Sequence, residues 1–520
     1  MPDPTIVAGR GKQRARWYRS PTYARESRRH HHNVGVASTS AEGEPTRGMS
    51  RVWRVLIPIA VGAVVALLPA PTGLSPQAWY YFALFVTVIV GVVTEPIPPA
   101  AVGLCGVIVA SVSGLVRESP AQATAWALSG FSNSTVWLIF AAYMFTLGYT
   151  KTGLGRRIAL HLIRRMGAST LGLGYAITAA DLVLAPFTAS TTARSGGTIY
   201  PAIRTIPELY GSLPNDPSAR KIGAYLLYTA ASTTLVTSSM FVTALAPNAL
   251  AVSLMYTTLG ITISWMDWFK GFAPVGFILL AVVPYLLYKV YPPEITRAPE
   301  APRWAADELA RMGPISRSEM ILLVLVTFAL ALWIGAGDVI DPAMAAVLTV
   351  FLMVIFGVVS WSEVVGNAQA WNVLIWFATL VTLASGLTET KFVEWLGQTV
   401  APRMSGFSPT MSIVALVGVF FFLHYLFASI TAHAATLLPV FLGVAAALPT
   451  LAPTTWALLL GYSLGLMGIL TPYGGAHLAI YYGSGYIKGR DFWWLGLLLG
   501  VLFFVVFMVV GIPWLEFVGL

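Results

Sequence analysis

Apolar runs recur from about residue 54 to the C-terminus, each broken by a few polar positions. A helix that crosses a bilayer needs about 20 mostly apolar residues. Runs of that kind lie at 54–70, 77–94, 98–116, 132–150, 223–243, 271–291, 319–336, 341–359, 410–427, 453–470 and 492–512, which predicts about 11 spans. Five further apolar stretches, 169–206, 245–260, 370–402, 429–448 and 471–487, are interrupted by Gly, Pro, Thr and Ser. Lipid offers no hydrogen-bond partner to a freed backbone group, so a broken segment persists only inside protein or along a cavity. These stretches are predicted as re-entrant hairpins and unwound helices. The pattern as a whole predicts an all-α polytopic membrane protein of the transporter or channel kind.

The polar breaks repeat. Thr188-Ala189-Ser190-Thr191-Thr192-Ala193-Arg194 in the first half matches Ala428-Ser429-Ile430-Thr431-Ala432-His433-Ala434 in the second. After each comes a span and a second break, at Thr237–Asn248 and at Gly468–Gly475. Paired breaks at matching places in two halves point to a substrate site at the membrane midplane. The chain therefore divides into a tail (1–48), a first transmembrane repeat (49–288) with a hairpin near 169–206, a linker (289–318), and a second repeat (319–520) with a hairpin near 405–448.

Composition sharpens this. Of 520 residues, 57% are hydrophobic and 10% charged. A soluble domain carries about a quarter charged residues, so a soluble multidomain protein, a disulfide scaffold and a nucleic-acid-binding module are excluded. The single cysteine, Cys105, reads as a small buried hydrophobe. The net charge of +9 is uneven: residues 1–48 hold nine Arg or Lys against four acids. That tail lacks periodicity and an apolar signal region, so it reads as a disordered basic extension ahead of Met49. Its His30-His31-His32 run reads as solvated rather than metal-binding. Arg51, Arg54, Lys151, Arg156, Arg157, Arg164, Arg165, Arg204, Arg220, Lys221 and the linker's basic residues mark the cytoplasmic side under the positive-inside rule. The N-terminus is then cytoplasmic in a cell inner membrane, and Leu520 is outside.

Hydroxyl residues at hairpin tips offer short O–H groups beside helix N-termini, whose partial positive charge favours anions. Two facing tips suit an anion with a carboxylate at each end. The candidate site residues are Ser190, Thr191 and Thr192 at the first tip, Ser429 and Thr431 at the second, and Asn248, Thr471 and Pro472 in the breaks. Three ionisable residues join them, because charge within a span is costly and marks function by default. Arg194 either attracts a carboxylate or forms a structural ion pair. His433 and His477 either donate to an anion or carry a proton, or they are satisfied core residues. Asp181 and Glu95 read as structural partners, and His424 as packing. Gly461-Tyr462-Ser463-Leu464-Gly465 fits a hydrolase pattern, but it lies in a membrane helix and reads as close helix packing. Asn133-Ser134-Thr135 is a glycosylation sequon by letter only. No metal-ligand or nucleotide-binding motif occurs, so neither a resident cofactor nor an enzyme is expected.

Several stretches resemble the divalent anion/sodium symporter family, and within it the bacterial citrate, tartrate and succinate antiporters and plastid dicarboxylate translocators. They are Pro76–Phe82, Glu95–Pro98, Asn133–Phe140, Gly148–Gly155, Ala193–Pro201, Thr237–Asn248, Gln369–Asn372 and Tyr481–Tyr486. The resemblance covers about residues 50–518. It implies an elevator-type carrier with two inverted repeats, a homodimer in the lipid bilayer, moving dicarboxylate or tricarboxylate anions by exchange. Other branches of the family couple to Na+, which makes sodium-coupled dicarboxylate or sulfate symport the alternative. In the exchanger branch the second tip reads Thr-Ala-His, here Thr431-Ala432-His433, and Arg194 and His433 are expected to supply the positive charge that sodium supplies elsewhere. Two stretches depart from the family pattern. The first tip reads Ser190-Thr191-Thr192 where relatives carry Ser-Asn-Thr, and Gly475-Ala476-His477-Leu478-Ala479 replaces a Thr-Gly-Pro-like run.

Overall fold

The computed structural model describes residues 50–520 except 338, 405, 407 and 449–451. The predicted basic tail, its histidine run and Met49 lie outside the described residues. Arg54–Leu520 forms one compact unit, which holds the hairpins, the breaks and the linker. Among the described residues the fold is all-helical, with one isolated antiparallel bridge between Ser169 and Arg297.

Eight described helices are long and apolar enough to cross a membrane, and four shorter apolar helices accompany them. The sequence predicts about 11 spans by the same length criterion. The difference has a physical cause. Every residue of Gly223–Met240 is buried, so this helix needs no lipid-facing apolar surface and carries Thr and Ser freely. Two of the eight, Thr170–Phe187 and Pro409–Leu426, are arms of hairpins that reverse at Thr188–Thr191 and Phe427–Ser429. Each hairpin starts on a serine N-cap. Ser169 Oγ accepts from Gly172 N, and Ser408 Oγ accepts from Met411 N.

The linker is not a loose connection. Its helix Glu300–Met312 packs against the basic helix Leu154–Met166. Arg156 pairs with Glu308 at 2.6 Å and Arg157 with Glu319 at 2.7 Å. Arg220 stacks 3.6 Å over the Tyr291 ring. The base of the first hairpin joins the same end, with Thr170 N donating to Thr296 O at 3.0 Å. Helix Ala368–Glu389 leaves from this end, where Lys151 meets Glu363. It finishes at the opposite end, where Arg117 pairs with Glu389. The second hairpin's return arm, Ile430–Ala446, ends near there, with Gly443 against Val393, so the two hairpins enter from opposite faces.

The stretch 370–402, predicted as broken, contains the continuous helix Ala368–Glu389. Several of its polar residues dock neighbouring helices rather than mark a break. Thr382 Oγ1 accepts from Gly130 N at 3.1 Å, Ser385 Oγ accepts from Trp126 Nε1 at 3.2 Å, and Leu383 O accepts from Tyr81 at 2.7 Å. Cys105, predicted inside, is exposed beside Leu104 and Ile108 on one face of Pro99–Val112. Glu95 ends its helix with φ 47° and is exposed.

The core centres on Gly223–Met240 against Pro453–Leu466. Ser239 Oγ donates to Tyr462 O at 2.9 Å. A Cβ on Gly465 would stand 2.9 Å from Leu235 O, and one on Gly461 would stand 2.9 Å from the Trp268 ring. The Gly-x-Ser-x-Gly pattern is thus a surface for close helix approach, as its helical context predicts.

Candidate functional site

The two tips share one local design. Ser190 Oγ accepts from Ala193 N at 3.2 Å, and Ser429 Oγ accepts from Ala432 N at 3.3 Å. Arg194 N donates to Ser190 O at 2.9 Å, and His433 N donates to Ser429 O at 3.0 Å. Aligned on these bonds, the tips read Ser190-Thr191-Thr192-Ala193-Arg194 and Ser429-Ile430-Thr431-Ala432-His433.

The breaks are also paired. Helix Gly223–Met240 stops, and a second segment, Ala246–Leu259, starts with Ala246 N donating to Ala189 O at 2.9 Å. Helix Pro453–Leu466 runs on to Leu470, the chain opens over Thr471–Gly475, and Ala476–Gly483 follows. The packing is crosswise. Ala246–Leu259 lies on the second hairpin's return arm, Ile430–Ala446. Ala476–Gly483 lies on the first hairpin's return arm, where Tyr481 and Ser195 hydroxyls meet at 2.9 Å. Gly474 is needed inside the second break. A Cβ there would stand 2.5 Å from Gly468 O and 3.0 Å from His424 Nε2. Gly474→Ala is expected to cost about 1–3 kcal/mol by overpacking, read as a lowered melting temperature of the detergent-purified protein. An unchanged melt would show that the break yields.

Both tips and both breaks line one cavity of about 400 Å³. Four helical first turns converge on it, at Thr191–Thr192, Ala246–Pro247, Ile430–Thr431 and Ala476. The first turn of a helix leaves N–H groups without helical partners, and each N-terminus carries roughly half a positive charge. Four such ends sum to roughly +2, the complement of a dianion. Among the described residues no Lys, Arg, His, Asp or Glu lines the cavity, and the ionisable residues that do are Tyr143 and Tyr473. The arrangement can hold an anion by backbone dipoles and short hydroxyls.

Five of the predicted residues, Ser190, Thr191, Thr192, Ser429 and Thr431, line the cavity together. Six others, Arg194, Asn248, His433, Thr471, Pro472 and His477, are buried behind that lining. The Arg194 guanidinium is wholly occupied. Nε meets Asp181 at 3.2 Å, Nη1 donates to Thr188 O and Ala244 O at 2.9 and 2.8 Å, and Nη2 donates to Ser238 Oγ at 2.7 Å. Thr237 also donates to the Asp181 carboxylate. Arg194 thereby ties the first tip to the first break. Asn248 ties the break to itself, with Nδ2 donating to Ser238 O at 2.6 Å and Phe241 O at 3.1 Å. Tyr143, Pro247, Tyr473 and Ala476 line the site without having been singled out. Tyr143 comes from the apolar helix Ser134–Thr152 and carries no local signal.

The cavity is open on one side. Ala428, Ser429, Tyr473, Ala476 and Ala479 are exposed. Ala476–Gly483 leads to the linker end, where Asn215 N donates to Gly485 O at 2.7 Å. Ala246–Leu259 leads the other way and is buried over Ala246–Ala251.

Two opposed hairpins, two interrupted helices and an anion-favouring cavity between them define a secondary transporter. The chain belongs to the divalent anion/sodium symporter family: the sodium:sulfate symporter transmembrane region matches residues 49–520. It is similar to the L-tartrate/succinate antiporters of Escherichia coli (strain K12) and Shigella flexneri. Each is 46% identical over 478 residues, which is 90% of this chain and 98% of the relative. Two solved transporters share the fold. They are YdaH of Alcanivorax borkumensis (TM-score 0.52, 16% identity, 90% of this chain and 98% of that one) and MtrF of Neisseria gonorrhoeae (TM-score 0.53, 12% identity, 88% and 97%). The chain is a membrane transporter, not an enzyme.

Proposed function

We propose that this protein exchanges one dicarboxylate dianion for another, of the tartrate and succinate class, across the cell inner membrane. The carrying observation is the cavity lined by four helix N-termini and the hydroxyls of Ser190, Thr191, Thr192, Ser429 and Thr431. Both tips line it, which suits an anion with a carboxylate at each end. Similarity to the L-tartrate/succinate antiporters over nearly the whole chain supports the same substrate class. An anion whose charge is met by fixed helix ends needs no co-bound sodium, which favours exchange over symport.

The basic end formed by Lys151, Arg156, Arg157, Arg220 and the linker faces the cytoplasm in this reading, as does the N-terminus. The cavity then opens inward. The resemblance to the family supports a homodimer in which the hairpin-bearing part moves as a rigid body, elevator fashion.

The test is labelled-succinate uptake into proteoliposomes. Vesicles preloaded with unlabelled dicarboxylate are compared with empty ones, each with and without an inward sodium gradient. Uptake that requires the internal load and ignores sodium is expected. Uptake into empty vesicles that follows sodium would move the protein to symport.

A further inference from the structure

The two repeats differ behind their tips. In the first, Arg194 meets Asp181, thirteen residues earlier, so the pair carries no net charge. In the second, the matching position is His433, and the residue thirteen positions earlier is Phe420. Its ring lies 4.5 Å from the imidazole. His433 is fully buried, and Phe427 and His424 close the remaining sides at 4.7 and 5.3 Å between ring centroids. No carboxylate among the described residues pairs with it.

Hydrogen bonding fixes the protons on the two imidazoles. Gly474 O can only accept, so His424 Nε2, 3.1 Å away, carries a hydrogen. A neutral His424 then has a bare Nδ1, which stands 3.4 Å from His433 Nδ1. His433 Nδ1 must therefore donate. A neutral His433 is left with a bare Nε2, and that atom is buried without a hydrogen-bond partner. The second tip thus conceals a base with no acid beside it.

We propose that His433 Nε2 is a proton-binding site filled together with the substrate, so that the carrier takes up about one proton for each dicarboxylate it binds. This rests on the dicarboxylate reading of the cavity. His433 lies in the first turn of Ile430–Ala446, just behind Ser429 and Thr431. With the cavity empty, the positive end of that helix opposes a second positive charge. A dianion at the same helix end cancels the opposition. By linkage the proton then raises anion affinity by the same factor. Arg194 cannot play this part, because Asp181 already neutralises it.

Other titratable groups on the packed elements leave the pair alone. Tyr425 lies on the second hairpin and Tyr473 in the break, with the Tyr473 hydroxyl donating to Tyr425 O. Tyr81 donates to Leu383 O, Tyr462 to Trp268 O, and Tyr481 shares its hydroxyl with Ser195. Tyr80, Tyr256, Tyr482 and Glu394 are exposed. His477 lies across the break, and the ionisable group in contact with His433 is His424. In one-for-one exchange each dicarboxylate carries its proton in either direction, so no net proton crosses and the pH on each side sets affinity there.

Succinate binding to the purified protein, followed by calorimetry across the neutral range, tests this. Two buffers of different ionisation heat are used. The wild type is expected to take up about one proton per succinate, with Kd rising about tenfold per pH unit. His433→Gln is expected to bind without that slope. His424→Asn, which keeps a donor for Gly474 O and an acceptor for His433, is expected to retain it. Wild-type binding with buffer-independent heat and a flat Kd overturns the proposal, as does a slope that survives His433→Gln. If His433→Gln does not fold, the wild-type heats decide. Absence of succinate binding at every pH would overturn the dicarboxylate reading and this inference with it.

Discussion

Arg194→Ala is expected to destabilise the folded protein by about 3–5 kcal/mol, and to do so before any effect on substrate is felt. The substitution leaves the Asp181 carboxylate buried without its cation and strips donors from Thr188 O, Ala244 O and Ser238 Oγ. These groups hold the first tip against the first break, so the cavity loses one wall's position. The check is thermal melting and gel filtration in detergent. Arg194→Ala combined with Asp181→Ala is expected to recover part of the loss, because the stranded charge is then gone. A stable, monodisperse Arg194→Ala protein with weakened succinate binding would return Arg194 to the role of a counter-charge for the substrate.

Ala476→Asp is expected to do the opposite, sparing the fold and abolishing binding. Ala476 is exposed at the start of its helix and lines the cavity. An acid in a first helical turn is favoured by the helix dipole, so the melting temperature should hold or rise. The new carboxylate would occupy the positive field meant for the anion. Like charges about 4 Å apart repel by about 4 kcal/mol at an effective dielectric of about 20, which corresponds to roughly a thousandfold loss of affinity. Equilibrium binding of labelled succinate measures it. Retained affinity in Ala476→Asp would mean that the anion does not lie against this helix end.

The tips were legible in the sequence because clustered Ser and Thr between apolar runs have few other uses inside a membrane. Their pairing was legible because Ser-x-Thr-Ala recurs at matching places. The second break announced itself through Thr471-Pro472-Tyr473-Gly474-Gly475. What stayed hidden depends on distance. Asp181 lies thirteen residues from Arg194, and only the reversal of the hairpin brings them together. Tyr143 enters from a helix whose letters describe an ordinary span. The stretch 370–402 carries Thr379, Thr382, Ser385 and Gly386, the same letters as a break. Whether such residues open a helix or dock it depends on the neighbour, here Gly103, Gly130 and Tyr81. A helix as buried as Gly223–Met240 answers to its protein neighbours, not to lipid, so apolar length alone does not mark it.

The central claim is that a dicarboxylate lies between the tips, its ends toward Thr191–Thr192 and Ile430–Thr431. A cryo-electron-microscopy map of the purified protein with saturating succinate tests it most directly. The account predicts added density inside the cavity, touching Ser190 and Ser429 from opposite sides and absent without succinate. Succinate density elsewhere, with this cavity unchanged, would contradict it.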